Sequence, residues 1–152
     1  MVEVAVRVQL LIGCEDIKLP SYLTPGSSGA DVGAAVQNPV EILPGAIVQI
    51  PLGFRIEIPW GFEAQIRPRS GLALDHGITI LNAPATIDSD YRGPVMALVI
   101  NLGRTSFTVR RGVRIAQLVI APIAKGRFTL SDSLSSTERG EKGLGSSGVE
   151  AD

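Results

Sequence analysis

The chain has 152 residues, a formal net charge of −1 and a mean hydropathy of +0.27. Hydrophobic residues make up 45%, which excludes a disordered chain and suits one domain with a substantial core. The near-neutral charge gives no electrostatic footprint for a long nucleic acid, although a few local Arg residues suffice for a small polyanion. The single cysteine, Cys14, and the single histidine, His76, exclude an intrachain disulfide, a cysteine zinc cluster and a multi-histidine metal centre. Any metal is expected to be a hard ion held by oxygen, which suits Mg2+. No apolar run approaches the roughly 20 residues of a membrane span, and the charged run MVEVAVRVQLLIG does not read as a leader. A soluble, cytoplasmic protein with no membrane contact is expected.

Residues 2–10 alternate, with Val2, Val4, Val6, Val8 and Leu10 on one side and Glu3, Arg7 and Gln9 on the other. That pattern predicts a strand buried on one face. The loop PSYLTPGSSGADVGAAV leads into a short strand over residues 30–36. Two β-rich runs, AIVQIPLGFRIEIP and GFEAQIRP, flank a turn at Pro59-Trp60-Gly61. Pro44, Pro51, Pro59 and Pro68 recur too often for long helices. The single predicted helix is Gly71–His76, with Ser70 as N-cap and Gly77 closing it. A strand over 78–81 follows, then a tight β-hairpin over 82–93, NAPATIDSDYRG, and a strand over 95–101.

After a turn at Asn101-Leu102-Gly103-Arg104 come SFTVR and the strand VRIAQLVIAPI. VMALVI and IAQLVIAPI are apolar without strict alternation, which predicts burial on both faces and packing between subunits. Past Phe128 the composition shifts to TLSDSLSSTERGEKGLGSSGVEAD, which has almost no core-forming residues. The organisation read from this is a β-domain over 1–128 and a flexible Gly/Ser-rich C-terminal segment over 129–152 that belongs to the same functional unit.

Five segments carry groups suited to chemistry. In PGSSGADVGAA, Asp31 is the lone acid among small residues and suits a hydrated cation, or simply an exposed turn. In RPRSGLALDHG, Ser70 and the Gly71 amide stand at a helix start beside Arg69, a setting for an anion or a plain helix cap. In the hairpin, Asp88 is the candidate general base, because an ionised carboxylate can take a proton from water. Tyr91 offers a flat ring for a sugar, while Asp90 reads as turn structure. In RGVRIAQLVI, Gln117 needs a hydrogen-bond partner if buried, and Arg114 suits pairing with an acid. In ERGEKGLGSSG, Arg139, Ser146 and Ser147 lie among glycines whose amides can wrap phosphate. The stretch lacks the G-K-[ST] of a P-loop, and disorder is the bland alternative.

Together and in this order, PGSSGADVGAA, PRSGLA, NAPATIDSDYRGPV, RGVRIAQLVI and RGEKGLGSSG resemble the five motifs of the trimeric dUTP diphosphatase (dUTPase) family. The resemblance implies an all-β, distorted jelly-roll-like barrel with one short helix, forming a homotrimer with shared sites. It implies hydrolysis of dUTP to dUMP and pyrophosphate with Mg2+, keeping uracil out of DNA and supplying dUMP for thymidylate synthesis. Carried over by position, Asp88 activates the attacking water. Asn82, Thr86, Ile87, Tyr91 and Met96 hold the nucleoside, and Arg69, Ser70, Gly71 and Gln117 hold the phosphates. Asp31 contacts Mg2+ through water, and Arg139, Leu144, Gly145, Ser146 and Ser147 close over the substrate from the tail.

The chain departs from the family pattern at three positions. Leu144 stands where a stacking Phe is usual, Ala85 replaces a usual Gly, and Pro94 a usual polar residue. Ala85 predicts a negative φ there. Two alternatives stay open at this point: a dCTP deaminase, which shares the fold and the trimer, and a non-catalytic β-rich oligomer.

Overall fold

A computed structural model describes residues 3–143. The elements run β1 (Arg7–Leu10), β2 (Ala30–Gly33), β3 (Val40–Ile42), β4 (Ile47–Glu57), β5 (Phe62–Arg67), α1 (Ser70–His76), β6 (Ile78–Ile80), β7 (Ala85–Ile87), β8 (Pro94–Asn101), β9 (Phe107–Val109) and β10 (Arg114–Pro122). They form two four-stranded sheets, ordered β1-β4-β8-β6 and β2-β10-β5-β7, and a two-stranded ribbon β3-β9. Every pairing is antiparallel.

The inward faces of both sheets share one aliphatic core. Ile50, Leu52 and Ile56 from β4, Ile66 from β5, Val99 from β8 and Ile115 from β10 lie in it almost without exposure. Phe54 is its largest fully buried side chain. Each such aliphatic group contributes about 1.5–3 kcal/mol by leaving water.

The all-β, jelly-roll-like expectation holds, but the barrel does not close. Among the described residues no ladder joins the two sheets. The N-terminal alternation is correct in burial, with Val4, Val6, Val8 and Leu10 half-buried, yet pairing with β4 begins only at Arg7. The strand expected over 30–36 ends at Gly33, and the one expected over 78–81 ends at Ile80.

Two further corrections follow. Strand β8 alternates after all: Val95, Ala97, Val99 and Asn101 are buried, while Met96, Leu98 and Ile100 are half-exposed. Within one chain its second face is only partly covered. The expected 82–93 hairpin is instead a crossover between sheets. Strand β7 pairs with β5, whereas β8 pairs with β4 and β6.

Helix α1 begins one residue earlier than predicted. Arg69, extended at φ −92° and ψ 129°, occupies the N-cap position without a side-chain cap bond. Gly77 closes the helix in the left-handed region, as read from the sequence. No helix among the described residues is long and apolar enough to cross a membrane.

Two polar anchors fix the loops. Asn101 has no exposure; its Nδ2 donates to the Ile42 and Thr105 carbonyls at 2.8 and 2.9 Å, and its Oδ1 accepts from the Gly103 amide at 2.8 Å. Arg111 grips Asp16 at 2.8 and 2.6 Å and also donates to the carbonyls of Gly13, Ala35 and Val36. This guanidinium bond holds the Asp16 carboxyl below the usual carboxylate range, and Asp16 in turn pushes Arg111 upward.

At the exit from β10, the Ile123 amide donates to the Gly61 carbonyl and the Lys125 ammonium sits 4.7 Å over the Trp60 ring. Beyond that point the chain has no strand or helix through Gly143, and Phe128, Leu130 and Leu134 stand 98%, 101% and 91% exposed.

Candidate active site

Asp31, Thr86 and Gln117 lie on the outward, polar face of the β2-β10-β5-β7 sheet, with the other candidates on the segments beside it and on β8. Antiparallel register sets Asp31 of β2 opposite Gln117 of β10, and Gln117 opposite Arg67 of β5. Thr86 of β7 stands opposite Gln65 of β5. Since side chains alternate across a strand, burying Ala30, Val32, Ala64, Ile66 and Leu118 inward turns these polar groups outward.

Two pockets divide the groups. The first, of about 330 Å³, is lined by Asp31, Arg69, Ser70, Gly71 and Gln117, with Leu23 and residues 27–29 closing one side. Asp31 accepts from Arg69 Nε at 3.0 Å and from Arg114 Nη1 at 2.9 Å. Arg69 Nη1 donates to the Arg114 carbonyl at 3.1 Å, and Nη2 makes no hydrogen bond among the described residues. The acid expected to pair with Arg114 is therefore Asp31.

Gln117 spends one amide hydrogen on the Pro68 carbonyl at 2.8 Å, the structural bond its position predicts. It fits only because Gly29 has no side chain, since a Cβ there would lie 2.0 Å from Gln117 Oε1. The sequence motif contains that glycine but does not show the clash it avoids.

The second pocket, of about 230 Å³, is built by the crossover. Asn82, Thr86, Ile87, Asp88, Tyr91 and Met96 all line it, with Gln49, Ile66, Ala85, Pro94 and Val95. Asp88 is exposed on its rim, directly after buried Ile87. The Tyr91 hydroxyl donates to the Pro94 carbonyl at 3.1 Å, and the ring lies where a Cβ on Gly93 would fall 2.3 Å from that hydroxyl. Ala85 sits in β7 opposite Ile66, and no described non-glycine residue has a positive φ, so the replaced glycine leaves no strain. Pro94 opens β8, where it lines the pocket.

The two pockets share no residue. Ile87 pairs with Ala64, so Asp88 lies off one end of the paired segment, whereas Arg69 and Ser70 lie beyond Arg67 at the other. Ala64 to Arg67 alone spans roughly 10 Å at about 3.3 Å per residue. Within one chain, Asp88 and the Ser70 group line separate pockets. Arg139 lines neither pocket and donates to the Lys142 carbonyl at 3.0 Å. Leu144, Gly145, Ser146 and Ser147 lie outside the described residues.

Comparison with known proteins decides the family. The dUTPase family model matches residues 15–148. The chain belongs to the dUTPase family. A deoxyuridine 5'-triphosphate nucleotidohydrolase of Roseobacter denitrificans is 51% identical, covering 97% of this chain and 99% of its own. Another, from Desulfotalea psychrophila, is 53% identical over 89% of this chain and 90% of its own. Among solved structures, a dUTPase of Staphylococcus bacteriophage 80alpha with dUPNHPP aligns with a TM-score of 0.85 at 25% identity, covering 95% of this chain and 99% of that one.

For a dUTPase, the metal question turns on Asp31. Among the described residues no group of three or more His, Cys, Asp or Glu side chains converges on one point. Each Asp31 oxygen takes one arginine, and a carboxylate has about four acceptor positions, so water can still bind it. That donor set fits a hydrated Mg2+ arriving on a triphosphate and does not build a cage for a resident ion.

Proposed function

We propose that this dUTPase-family chain hydrolyses dUTP to dUMP and pyrophosphate, with Asp88 as general base. The observation that carries the reading is the exposed Asp88 carboxylate on the rim of a nucleoside-sized pocket, in a chain of this family. The oxygen of a water attacks the α-phosphorus while its proton passes to Asp88. The bond from that phosphorus to the bridging oxygen breaks, and its electron pair leaves with pyrophosphate.

Asn82 and the backbone around Thr86 and Ile87 read the uracil edge. Cytosine presents reversed donors and acceptors, leaving buried polar groups unpaired, which is a strong basis for rejection. Tyr91, fixed by its bond to Pro94, packs on the deoxyribose and leaves no room for a 2′-hydroxyl. Met96 closes the pocket from β8. Ser70, Gly71, the free side of Arg69 and Gln117 hold the phosphates. Asp31 would hold a hydrated Mg2+ through its remaining acceptor positions, and the ion would supply positive charge to the triphosphate.

The phosphate-binding and nucleoside groups line separate pockets within one chain, which suits a site completed by more than one copy. This supports a homotrimer in which one subunit gives the nucleoside pocket, a second the phosphate pocket and a third its tail. In that tail, Arg139, Leu144, Gly145, Ser146 and Ser147 form a lid over residues 129–152, beyond the β-domain of 1–128. The half-exposed Met96, Leu98 and Ile100 of β8 offer apolar surface for subunit contact. Acting in the cytoplasm on free nucleotide, without nucleic acid or membrane, the enzyme lowers dUTP and supplies dUMP for thymidylate synthesis.

The test is pyrophosphate release from dUTP, dTTP, dCTP and UTP, with and without Mg2+. Turnover of dUTP far above the others is expected. Ammonia released from dCTP without pyrophosphate would overturn the reading.

A further inference from the structure

The stretch from Asp88 to Gly93 joins two sheets without belonging to either ladder. Its shape must be set by local bonds. The Tyr91 amide donates to the Asp88 carbonyl at 3.1 Å and closes a turn. Two carbonyls of that turn, from Ser89 and Tyr91, both accept from Arg92 Nη1, at 2.7 and 2.8 Å. One terminal nitrogen with its two hydrogens thus ties both sides of the turn. These are charge-assisted bonds, stronger than neutral ones of the same geometry.

Arg92 does not line the nucleoside pocket. It lies in a separate cleft of about 340 Å³ with Arg7, Arg55 and Glu57. Glu57 is the acid in that cleft and is paired with Arg7 at 3.1 Å. Cationic neighbours on the outer side and carbonyl dipoles on the inner side both favour a guanidinium turned toward the turn.

We infer that Arg92 is a positioning residue for dUTP hydrolysis, fixing the Asp88–Tyr91 turn from behind so that the Asp88 carboxylate keeps its aim. It lines the cleft behind the turn and not the nucleoside pocket. The inference rests on the reading of Asp88 as general base. Loss of the two bonds leaves the carboxylate in place on average but lets the turn spread over neighbouring conformations. Misplacement of a reacting group by even about 1 Å costs rate up to about a hundredfold. Lysine offers three donors on a single nitrogen, one bond short of Nη1, and can reach the same carbonyls in part.

The test compares wild type, R92Q and R92K, each alone and combined with D88N, by steady-state pyrophosphate release from dUTP. R92Q is expected to lower kcat about tenfold with KM changed by less than about threefold, and R92K to recover most of that loss. In the D88N background R92Q is expected to cost nothing further, since it acts through the carboxylate already removed. Unchanged kcat in R92Q, or an equal fold-loss in both backgrounds, overturns the inference while leaving the function standing. A wild-type protein that releases no pyrophosphate, or a D88N protein as active as wild type, overturns the function itself.

Discussion

Asp88, the proposed general base, draws little from its own chain. It is exposed, follows a buried isoleucine and stands on a pocket rim. Replacing it with asparagine keeps the shape and removes the base. D88N is expected to bind dUTP with near wild-type affinity in calorimetry while hydrolysis falls about 10² to 10⁴-fold.

A second residue-scale prediction concerns acid stability. The Arg111 bond holds the Asp16 pKa in the folded state below its ordinary value of 3.8. A carboxylate with a depressed folded pKa contributes stability above its unfolded pKa and loses it as pH falls through the folded one. The pair should therefore support the fold at neutral pH and stop doing so below the ordinary carboxylate range. Thermal melts of wild type and D16N should differ near neutral pH and converge in strong acid; a constant gap across that range would contradict it.

At this scale the sequence was informative where chemistry dictates residue type. Asp88, Ser70, Gln117 and Asp31 each admit a plain structural reading, and only the five segments taken together in order single them out as site candidates. It was silent where the partner is distant. Nothing in the spacing shows that both oxygens of Asp31 are taken by Arg69 and Arg114, from 38 and 83 residues away. Nor does it show that Gly29 makes room for Gln117.

Among the elements, β8 pairs with both β4 and β6 and ends at Asn101. From sequence Asn101 reads as a turn residue; in the fold its amide joins the strand end, the Ile42 carbonyl and the 103–105 loop. Substitution by alanine removes a buried bond to the Ile42 carbonyl and two part-buried bonds, to the Thr105 carbonyl and from the Gly103 amide. A loss of about 2–4 kcal/mol is expected in denaturant unfolding, whereas an exposed turn asparagine would cost only a few tenths.

The 82–93 crossover was mistaken for a hairpin for a related reason. Turn residues at both ends mark a reversal of chain direction, but they do not say which strand each arm will pair with. That choice belongs to β5 and β4, which lie earlier in the chain and take β7 and β8 into different sheets.

For the whole molecule, the division of the site between two pockets makes a direct prediction. D88N lacks the base but keeps the phosphate pocket, and an Arg69→Ala variant keeps the base but weakens the phosphate pocket. Each alone should be poor. Unfolded together and refolded as mixed oligomers, they should regain turnover above either parent, because some sites then draw Asp88 and Arg69 from different intact chains. No gain on mixing would place both groups in one subunit's site. Removal of the chain from Arg139 onward should leave the oligomeric mass unchanged while turnover drops sharply; full turnover would refute the lid.

The cation contact at the exit from β10 has a practical use in these experiments. Trp60 is the one tryptophan in the sequence, and it stands 79% exposed at the point where the tail leaves the domain. Its emission arises from a single indole whose face carries the Lys125 ammonium. Any rerouting of the tail that lifts Lys125 away changes the field at that indole. The protein thus carries its own fluorophore at the root of the proposed lid, and stopped-flow mixing with dUTP tests without a label whether that lid closes.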